Sequence, residues 1–304
     1  MNGTTYQQLV IFQTIVQEGS IRAAARRLEL AAPSVSQSLK ALENSMRLPL
    51  LLRTTRRMEL TEAGQMLFDS TLPAIATLNY AVENVRDLSE APSGTVRLTL
   101  PRFVAQFFLM PVYAEFCERY PHIQLELSAS DATVNIISQG FDAGIRFGDR
   151  IEEGMVARAL TPPIKDALFA SPEYLERHGT PQTPDDLRHH KLIQYRFIAS
   201  NQLAPLELQD GENRIRVEMP TALVVNDTDL IMDAAQKNLG IGRFLLPMVR
   251  PLLKSGALVP VLARHWPVTP GLYLYYPQNS QKARRIRVLI DFLCARAISE
   301  WPVD

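Results

Sequence analysis

The chain has 304 residues, room for about two domains at the usual ~100–200 residues each. Hydrophobic residues make up 46% and charged residues 21%, which excludes a disordered chain, a collagen-like chain and a small disulfide scaffold. Lys and Arg number 32, as do Asp and Glu, so the protein is not basic throughout, although a local basic patch remains open. Cys117 and Cys294 stand 177 residues apart without a CxxC, which fits a reducing, cytoplasmic setting. The first residues carry no signal-peptide pattern, and the uncharged run from Trp266 to Gln281 is too short and too proline-broken to span a bilayer. No membrane partner is expected.

The charge balance breaks when the chain is divided. Residues 1–60 carry eight cationic side chains against four glutamates, so this segment is +4 and the remainder −4. A basic head on a slightly acidic body suggests nucleic-acid binding by the head. Within it, Leu9, Phe12, Ile15 and Val16 recur at helical spacing. Ser20 is expected to cap a second helix over Ile21–Leu28, with a turn at Glu29-Leu30. Pro33 fits the first turn of a third helix, in which Val35, Leu39, Leu42 and Met46 form one buried stripe. Its opposite face presents Pro33, Gln37, Lys40 and Asn44, flanked by Ser34 and Ser36. This is the helix-turn-helix pattern, whose second helix enters the major groove of double-stranded DNA. Gln can pair with adenine, while Ser and Lys reach phosphates. Arg53, Arg56 and Arg57 follow as a wing touching backbone phosphates would.

These residues carry a resemblance. The run Phe12 … Gly19-Ser20-Ile21-Arg22-Ala23-Ala24 … Pro33-Ser34-Val35-Ser36 … Leu42-Glu43 … Pro49-Leu50 … Leu60-Thr61-Glu62-Ala63-Gly64 resembles the LysR-type transcriptional regulators. The resemblance implies a winged helix-turn-helix over 5–62 whose DNA contacts are Ala32, Pro33, Ser34, Ser36, Gln37, Lys40, Arg53, Arg56 and Arg57. It also marks departures. Glu29 and Arg47 stand where that family usually has Gly, Ala31-Ala32 where it has Ser-Gln, and Gln37 where Arg is common. A non-glycine turn residue and a missing helix cap each cost roughly 1 kcal/mol.

From Thr61 to Leu88 the pattern is helical, with Phe68, Ile75 and Val82 on one seven-residue repeat and Leu78 and Val85 on the second seam. A linker and dimerisation helix is expected over 63–89, kinked or broken at Pro73. Residues 90–94 form a short linker. Beyond it, strands are expected at Val96–Leu100, Ile123–Ser128, Ala143–Phe147, Ala167–Ala170, Leu223–Val225, Gly240–Phe244 and Leu272–Tyr276. Helices are expected at Gln106–Tyr120, Val134–Gln139, Asp229–Asn238 and Ala283–Ala297. Such alternation implies α/β layers with a mostly parallel sheet.

The run Gly140-Phe141-Asp142-Ala143-Gly144-Ile145-Arg146-Phe147-Gly148, with Ser171-Pro172-Glu173-Tyr174-Leu175 and Gly240-Ile241-Gly242, is similar to the effector domain of the same family. The implied fold is α+β passing into α/β: a winged helix-turn-helix, a long linker helix, then a two-lobed effector domain of periplasmic-binding-protein type over 94–304. By that analogy the first lobe takes 94–163 and 269–304, and the second 164–268. Ligands of open α/β sheets sit at the carboxyl ends of strands. That rule selects Thr99, Pro101, Arg102, Phe103, Ser128, Ser130, Arg146 and Phe147 on one side, and Asn226, Asp227 and Thr228 on the other. Two arginines and helix N-termini would suit a small carboxylate effector.

No metal-ligand spacing surrounds His189-His190, and the histidines are expected to be solvated. No GxSxG, HExxH, P-loop or GxGxxG is present, so neither an enzyme nor a cofactor is expected. The resemblance implies promoter DNA, RNA polymerase and a small-molecule effector as partners, and a homodimer assembling to a homotetramer. The competing reading is a solute-binding module without DNA regulation.

Overall fold

The computed structural model describes residues 3–53, 58–86, 91–151, 153–278, 280 and 283–300. The head consists of α1 (Gly3–Glu18), α2 (Ile21–Arg27), α3 (Ala32–Met46), an antiparallel hairpin of β1 (Leu51–Arg53) and β2 (Met58–Leu60), and α4 (Glu62–Arg86). Its core is the apolar stripe read from the sequence: Phe12, Ile15, Val35, Leu39 and Leu42 are at most 1% exposed. Phe68 meets Phe12 edge to face, with ring centroids 6.5 Å apart. Ala24 and Ala25 are buried between α1 and α3, where small side chains let the helices approach closely. Thr61 donates its N–H to the Leu50 carbonyl (3.0 Å) and caps Gly64 through its hydroxyl (3.0 Å), starting α4 against β1.

α4 runs 25 residues without a break at Pro73. Pro73 lies on the exposed side, so water can reach the Asp69 carbonyl that its missing N–H leaves unbonded. The expected seam also divides. Phe68, Leu72 and Ile75 belong to the head's own core, whereas Leu78, Val82 and Val85 are 50%, 56% and 69% exposed.

The body opens with β3 (Gly94–Leu100), α5 (Arg102–Val104) continuing as a π-helical turn over Ala105–Leu109, and α6 (Tyr113–Arg119). The single helix expected over Gln106–Tyr120 is therefore interrupted, at Pro111, which has no N–H to carry the ladder on. β4 (Ile123–Ala129), β5 (Ala143–Phe147) and β6 (Met155–Ala159) follow. The helix expected at Val134–Gln139 is one turn only. The Asn135 side chain caps Ser138 N (2.8 Å), and Gly140 at φ 69° closes the turn with Phe141 N donating to the Ile136 carbonyl (2.8 Å).

The chain then crosses to a second lobe. This comprises β7 (Ile164–Ala170), α7 (Pro172–His178), β8 (Leu192–Tyr195), β9 (Leu206–Asp210), β10 (Asn213–Val217), β11 (Thr221–Val225), α8 (Thr228–Gln236), β12 (Gly242–Leu245), α9 (Leu246–Lys254), β13 (Val259–Val261) and β14 (Val268–Thr269). It returns through β15 (Leu272–Pro277) and ends in α10 (Arg284–Glu300). The two crossings lie side by side: Leu160 N donates to the Leu272 carbonyl (2.8 Å), and Leu272 N to Thr161 Oγ1 (2.8 Å).

The sheets are mixed rather than mostly parallel. The first lobe has the order β4-β3-β5-β15-β6, in which β3 pairs parallel with β4 and β5 while β15 pairs antiparallel with β5 and β6. In the second lobe β7 pairs antiparallel with β12, β13 and β14, and β8 pairs parallel with β11. The reversal follows from the crossings, since a strand returning from the other lobe enters its sheet in the opposite direction.

Candidate nucleic-acid interface and ligand cleft

The Ser20 hydroxyl accepts from Ala23 N (3.2 Å), so α2 starts where the sequence placed it. The turn to α3 puts Glu29 at φ 54°, the left-handed region where a side chain is strained. Arg47, at φ 55°, ends α3 in the same way. Ala31 precedes α3 without a side-chain cap, and Pro33 sits in its first turn. Ala31→Ser is expected to stabilise the head by about 1 kcal/mol in urea unfolding.

With Val35, Leu39 and Leu42 turned inward, α3 presents Pro33, Ser34, Gln37 and Lys40 to solvent, with Ala32 and Ser36 half-buried at the edges. Beside this face a shallow hollow is lined by Arg22, Arg26, Leu30 and Ala32. Arg22 and Arg26 are not among the DNA contacts expected from the sequence. They are exposed cations on α2 next to the presented helix, which their helical spacing could have revealed. The backbone of Arg53 ends β1, while Arg56 and Arg57 lie outside the described residues.

In the body several of the residues selected by the strand-end rule meet: Arg102 with Asp227, Phe103 with Phe147, and Arg146 with Thr99 and Ser130. Arg102, opening α5, donates its backbone N–H to Asp131 Oδ1 (3.0 Å) and places its guanidinium 2.9 Å from Asp227 Oδ2, 125 residues away in the other lobe. Asp227 simultaneously caps α8, accepting from Asp229 N at 2.9 Å. Phe103, a core residue, stacks on Phe147 (6.0 Å) and meets Phe244 of the second lobe edge-on (5.4 Å), so aromatic packing also joins the lobes here. Arg150 lies 5.0 Å over the Phe197 ring, a second contact of a first-lobe cation with the second lobe.

Thr99 is buried at the end of β3, and Arg146 on β5 is 4% exposed. The Arg146 guanidinium donates to the carbonyls of Ile145 (2.9 Å), Ser130 (3.1 Å) and Ala132 (3.1 Å) and to Thr99 Oγ1 (3.4 Å). It braces the loop after β4 instead of offering a free head, and burial pulls its pKa below the ordinary arginine value. Ser130 Oγ accepts from Ala132 N (3.3 Å) in the same loop. Pro101 is buried, Ser128, Phe147 and Thr228 are half-buried, and Asn226 is exposed.

Four residues near the Arg102–Asp227 pair are not among those selected from the sequence. Asp131 lies one position past the residues selected after β4. Tyr195 ends β8, a strand not expected. Phe244 ends the strand expected at Gly240–Phe244, and Asp229 opens the helix expected at Asp229–Asn238, so both carry only a structural reading from the sequence. The Tyr195 phenol is pushed up to about 12, first by burial and then by Asp131 and Asp227. Asp229 is raised by burial, then by Asp227 and Asp131, with Arg102 opposing.

The expectation of a small anionic ligand draws on helix N-termini and on two available guanidiniums. Arg146 is spent on carbonyls and Arg102 on Asp227, while Asp131, Asp227 and Asp229 share the space. A raised carboxyl stabilises the fold below its unfolded pKa and loses that contribution as pH rises through the folded value. Asp229→Asn is therefore expected to raise the melting temperature at pH 7 and leave it unchanged at pH 3, in paired calorimetric scans. The expectation that the histidines are solvated fails at His190, which is 4% exposed beside Tyr174 (ring centroids 5.9 Å apart).

Residues 6–65 match the family described as "Bacterial regulatory helix-turn-helix protein, lysR family", and residues 89–297 match "LysR substrate binding domain". The chain is 32% identical over 282 residues to the uncharacterized HTH-type transcriptional regulator YcaN of Escherichia coli K12, covering 93% of this chain and 92% of that one. It is 32% identical over 285 residues to the HTH-type transcriptional regulator PgrR of the same organism, covering 94% and 95%. Among solved structures it is similar to CrgA, a LysR-type transcriptional regulator from Neisseria meningitidis, with 28% identity, TM-score 0.60, and coverage of 98% and 99%. It is also similar to full-length AphB of Vibrio cholerae, with 25% identity, TM-score 0.62, and coverage of 95% and 98%.

Proposed function

The chain belongs to the LysR family of bacterial transcriptional regulators, and from that membership we propose how its own residues read DNA and sense an effector. It is a DNA-binding regulator with an effector-binding domain, and the relatives it matches are named transcriptional regulators. The reading of the head rests on one observation: α3 buries Val35, Leu39 and Leu42 and turns Ser34, Gln37 and Lys40 outward. In our reading Gln37 pairs with a base edge. Ala32, Pro33, Ser34 and Ser36 fit the groove wall, and Lys40, Arg53, Arg56 and Arg57 meet phosphates. The domain division proposed is 5–62, 63–89 and 94–304, with lobes parting at 163/164 and 268/269. A solute-binding module without DNA regulation would have no use for this polar helix face.

An electrophoretic shift of the DNA upstream of the protein's own gene tests the reading, with binding expected to fall steeply with salt. Gln37→Ala should relax preference by about 1–3 kcal/mol at one base pair, whereas Lys40→Ala should weaken all sequences alike. Equal loss of preference in both variants would sink these roles.

The exposed Leu78, Val82 and Val85 of α4 support a dimer that sets two α3 helices on neighbouring major grooves, assembling further to a tetramer. No helix among the described residues is long and apolar enough to cross a membrane, which suits the cytoplasmic setting proposed for a partner of RNA polymerase. The effector, in this reading, enters between Arg102 and Asp227. A plain anion would also meet Asp131 and Asp229, so the molecule that fits both charges is a small zwitterion, its carboxylate on Arg102 and its ammonium on the released Asp227. Exchange of a protein ion pair for a bridging ligand shifts the lobes and, through them, promoter binding. 4-Aminobutyrate should raise the melting temperature more than butyrate or butylamine, and Arg102→Ala should remove the difference. A larger shift with butyrate would restore the anionic class.

A further inference from the structure

Between β4 and β5 a single segment, residues 130–142, touches three parts of the molecule. Its first end lies at the cleft. Asp131 Oδ1 accepts the Arg102 backbone N–H (3.0 Å), and the buried Arg146 holds the carbonyls of Ser130 and Ala132 (3.1 Å each). Its middle is the single helical turn closed by Gly140. There Ile136 is 1% exposed, while the next residue, Ile137, packs against the core of the head. Among the described residues Ile137 is the body's one member of that cluster, whose other members all lie between Tyr6 and Ile75. Beside it the Gln17 side chain of α1 reaches Gly140, where a Cβ would lie 3.8 Å from Gln17 Nε2. The far end of the segment lies on the linker helix. Asp142 accepts from Arg97 N with one carboxylate oxygen (2.8 Å) and from the Tyr80 hydroxyl of α4 with the other (3.4 Å). Tyr80 itself packs against the core of the body.

The body itself fixes this turn. Arg97 on β3 donates through Nη1 to the carbonyls of Gln139 and Gly140 (3.0 Å each) and lies 5.0 Å over the Phe141 ring. Ile137 is thus held out among Asn135, Ser138 and Gln139, an apolar side chain on a polar turn, and the head covers it. The head and the first half of α4 share one core through Ile75, so whatever holds Ile137 and Tyr80 holds the head at one angle to the body. Contacts this narrow leave relative motion of two domains as the default, and a small bias opens or closes them. Tyr80 stands two positions from Leu78 and Val82, and such positions project to different sides of a helix. The exposed seam of α4 therefore stays open to a second copy while this contact is made.

We propose that residues 130–142 form a docking surface for the chain's own DNA-binding head, and that the state of the cleft reaches DNA through it. The second clause rests on the cleft reading given above; the first does not. In the arrangement described, Arg102 holds Asp227 and the head is docked. A ligand that parts this pair moves α5, α5 draws on Asp131, and the displacement passes along the segment to Ile137. Once undocked, head and linker helix swing together, which changes the spacing at which two heads meet a promoter.

Hydrogen exchange of the full-length protein tests the dock without ligand or DNA. Ile137→Ser is expected to speed exchange of the α1 peptide over residues 10–18 by about five-fold or more, through easier local opening, and Ile137→Val to restore it. The α3 peptide over residues 35–46 should keep its parent rate, which separates undocking from unfolding of the head. Asp131→Ala, at the cleft end of the segment, should speed the same α1 peptide. The functional arm uses 4-aminobutyrate: in Ile137→Ser it should still raise the melting temperature yet no longer alter the operator shift. An α1 rate unchanged in Ile137→Ser, or accelerated together with that of α3, would overturn the dock. An α1 rate unchanged in Asp131→Ala, or an operator shift that still responds in Ile137→Ser, would overturn the coupling. If 4-aminobutyrate leaves the melting temperature of the parent unchanged, the cleft reading fails, and the exchange rates still decide the dock and its link to Asp131.

Discussion

Arg146→Met is expected to destabilise the effector domain by about 2–4 kcal/mol, read as a lower urea midpoint at unchanged slope. Methionine fills the volume and removes a buried charge, which is favourable. It also strips the carbonyls of Ser130 and Ala132 of charged donors at 3.1 Å, and hydrogen bonds of that kind contribute about 1.5–3 kcal/mol each. The loop so released carries Asp131, whose carboxylate holds the Arg102 backbone, so the effector response should fail along with stability. Arg146→Lys is not expected to rescue either, because a single ammonium cannot span the four acceptors that the planar fork reaches. A loss under 1 kcal/mol with the response intact would show that Arg146 only fills space.

Gly64→Ala is expected to cost about 3 kcal/mol and to abolish the operator shift. A Cβ at this position would lie 2.0 Å from the Leu50 carbonyl oxygen. That oxygen is backbone and already bonded to Thr61 N, so it cannot rotate aside as a side-chain tip would. Relief requires α4 to move off β1, and that shift separates the linker helix from the wing. Overpacking of this kind commonly costs ~1–3 kcal/mol, and a backbone obstacle sits at the upper end. Thermal melts of the head and a shift assay measure the two consequences. A variant that melts and binds like the parent would show that the α4–β1 junction gives way freely.

The head was legible because its signals are local. Ser20 and Pro33 mark helix starts through their own hydrogen-bonding chemistry, and the Val35-Leu39-Leu42 stripe needs no distant partner to be read. The absence of a break at Pro73 was not legible for the opposite reason: whether a helix continues past a proline depends on whether solvent reaches the orphaned carbonyl, which spacing does not encode. The direction of β15 was hidden for a similar reason, since it depends on the path taken through the second lobe. The strand-end rule selected Arg102 and Asp227 but not that they hold each other across 125 residues. It also selected Arg146 but not the carbonyls that occupy it, because they come from a loop 14 and 16 positions upstream. β8 is four residues long, and without it the place of Tyr195 could not be anticipated.

The place of β15 has a consequence for synthesis. This strand is an inner member of the first sheet, hydrogen-bonded to both β5 and β6, yet it is made only after residue 271. The ribosome therefore releases a head whose buried core is complete by Ile75 long before the sensor's sheet can be sealed. Until then β5 and β6 each present an unpaired edge, the kind of surface that recruits other nascent strands. A message truncated before β15 would yield a chain able to form its DNA-reading helices but unable to close the domain that governs them.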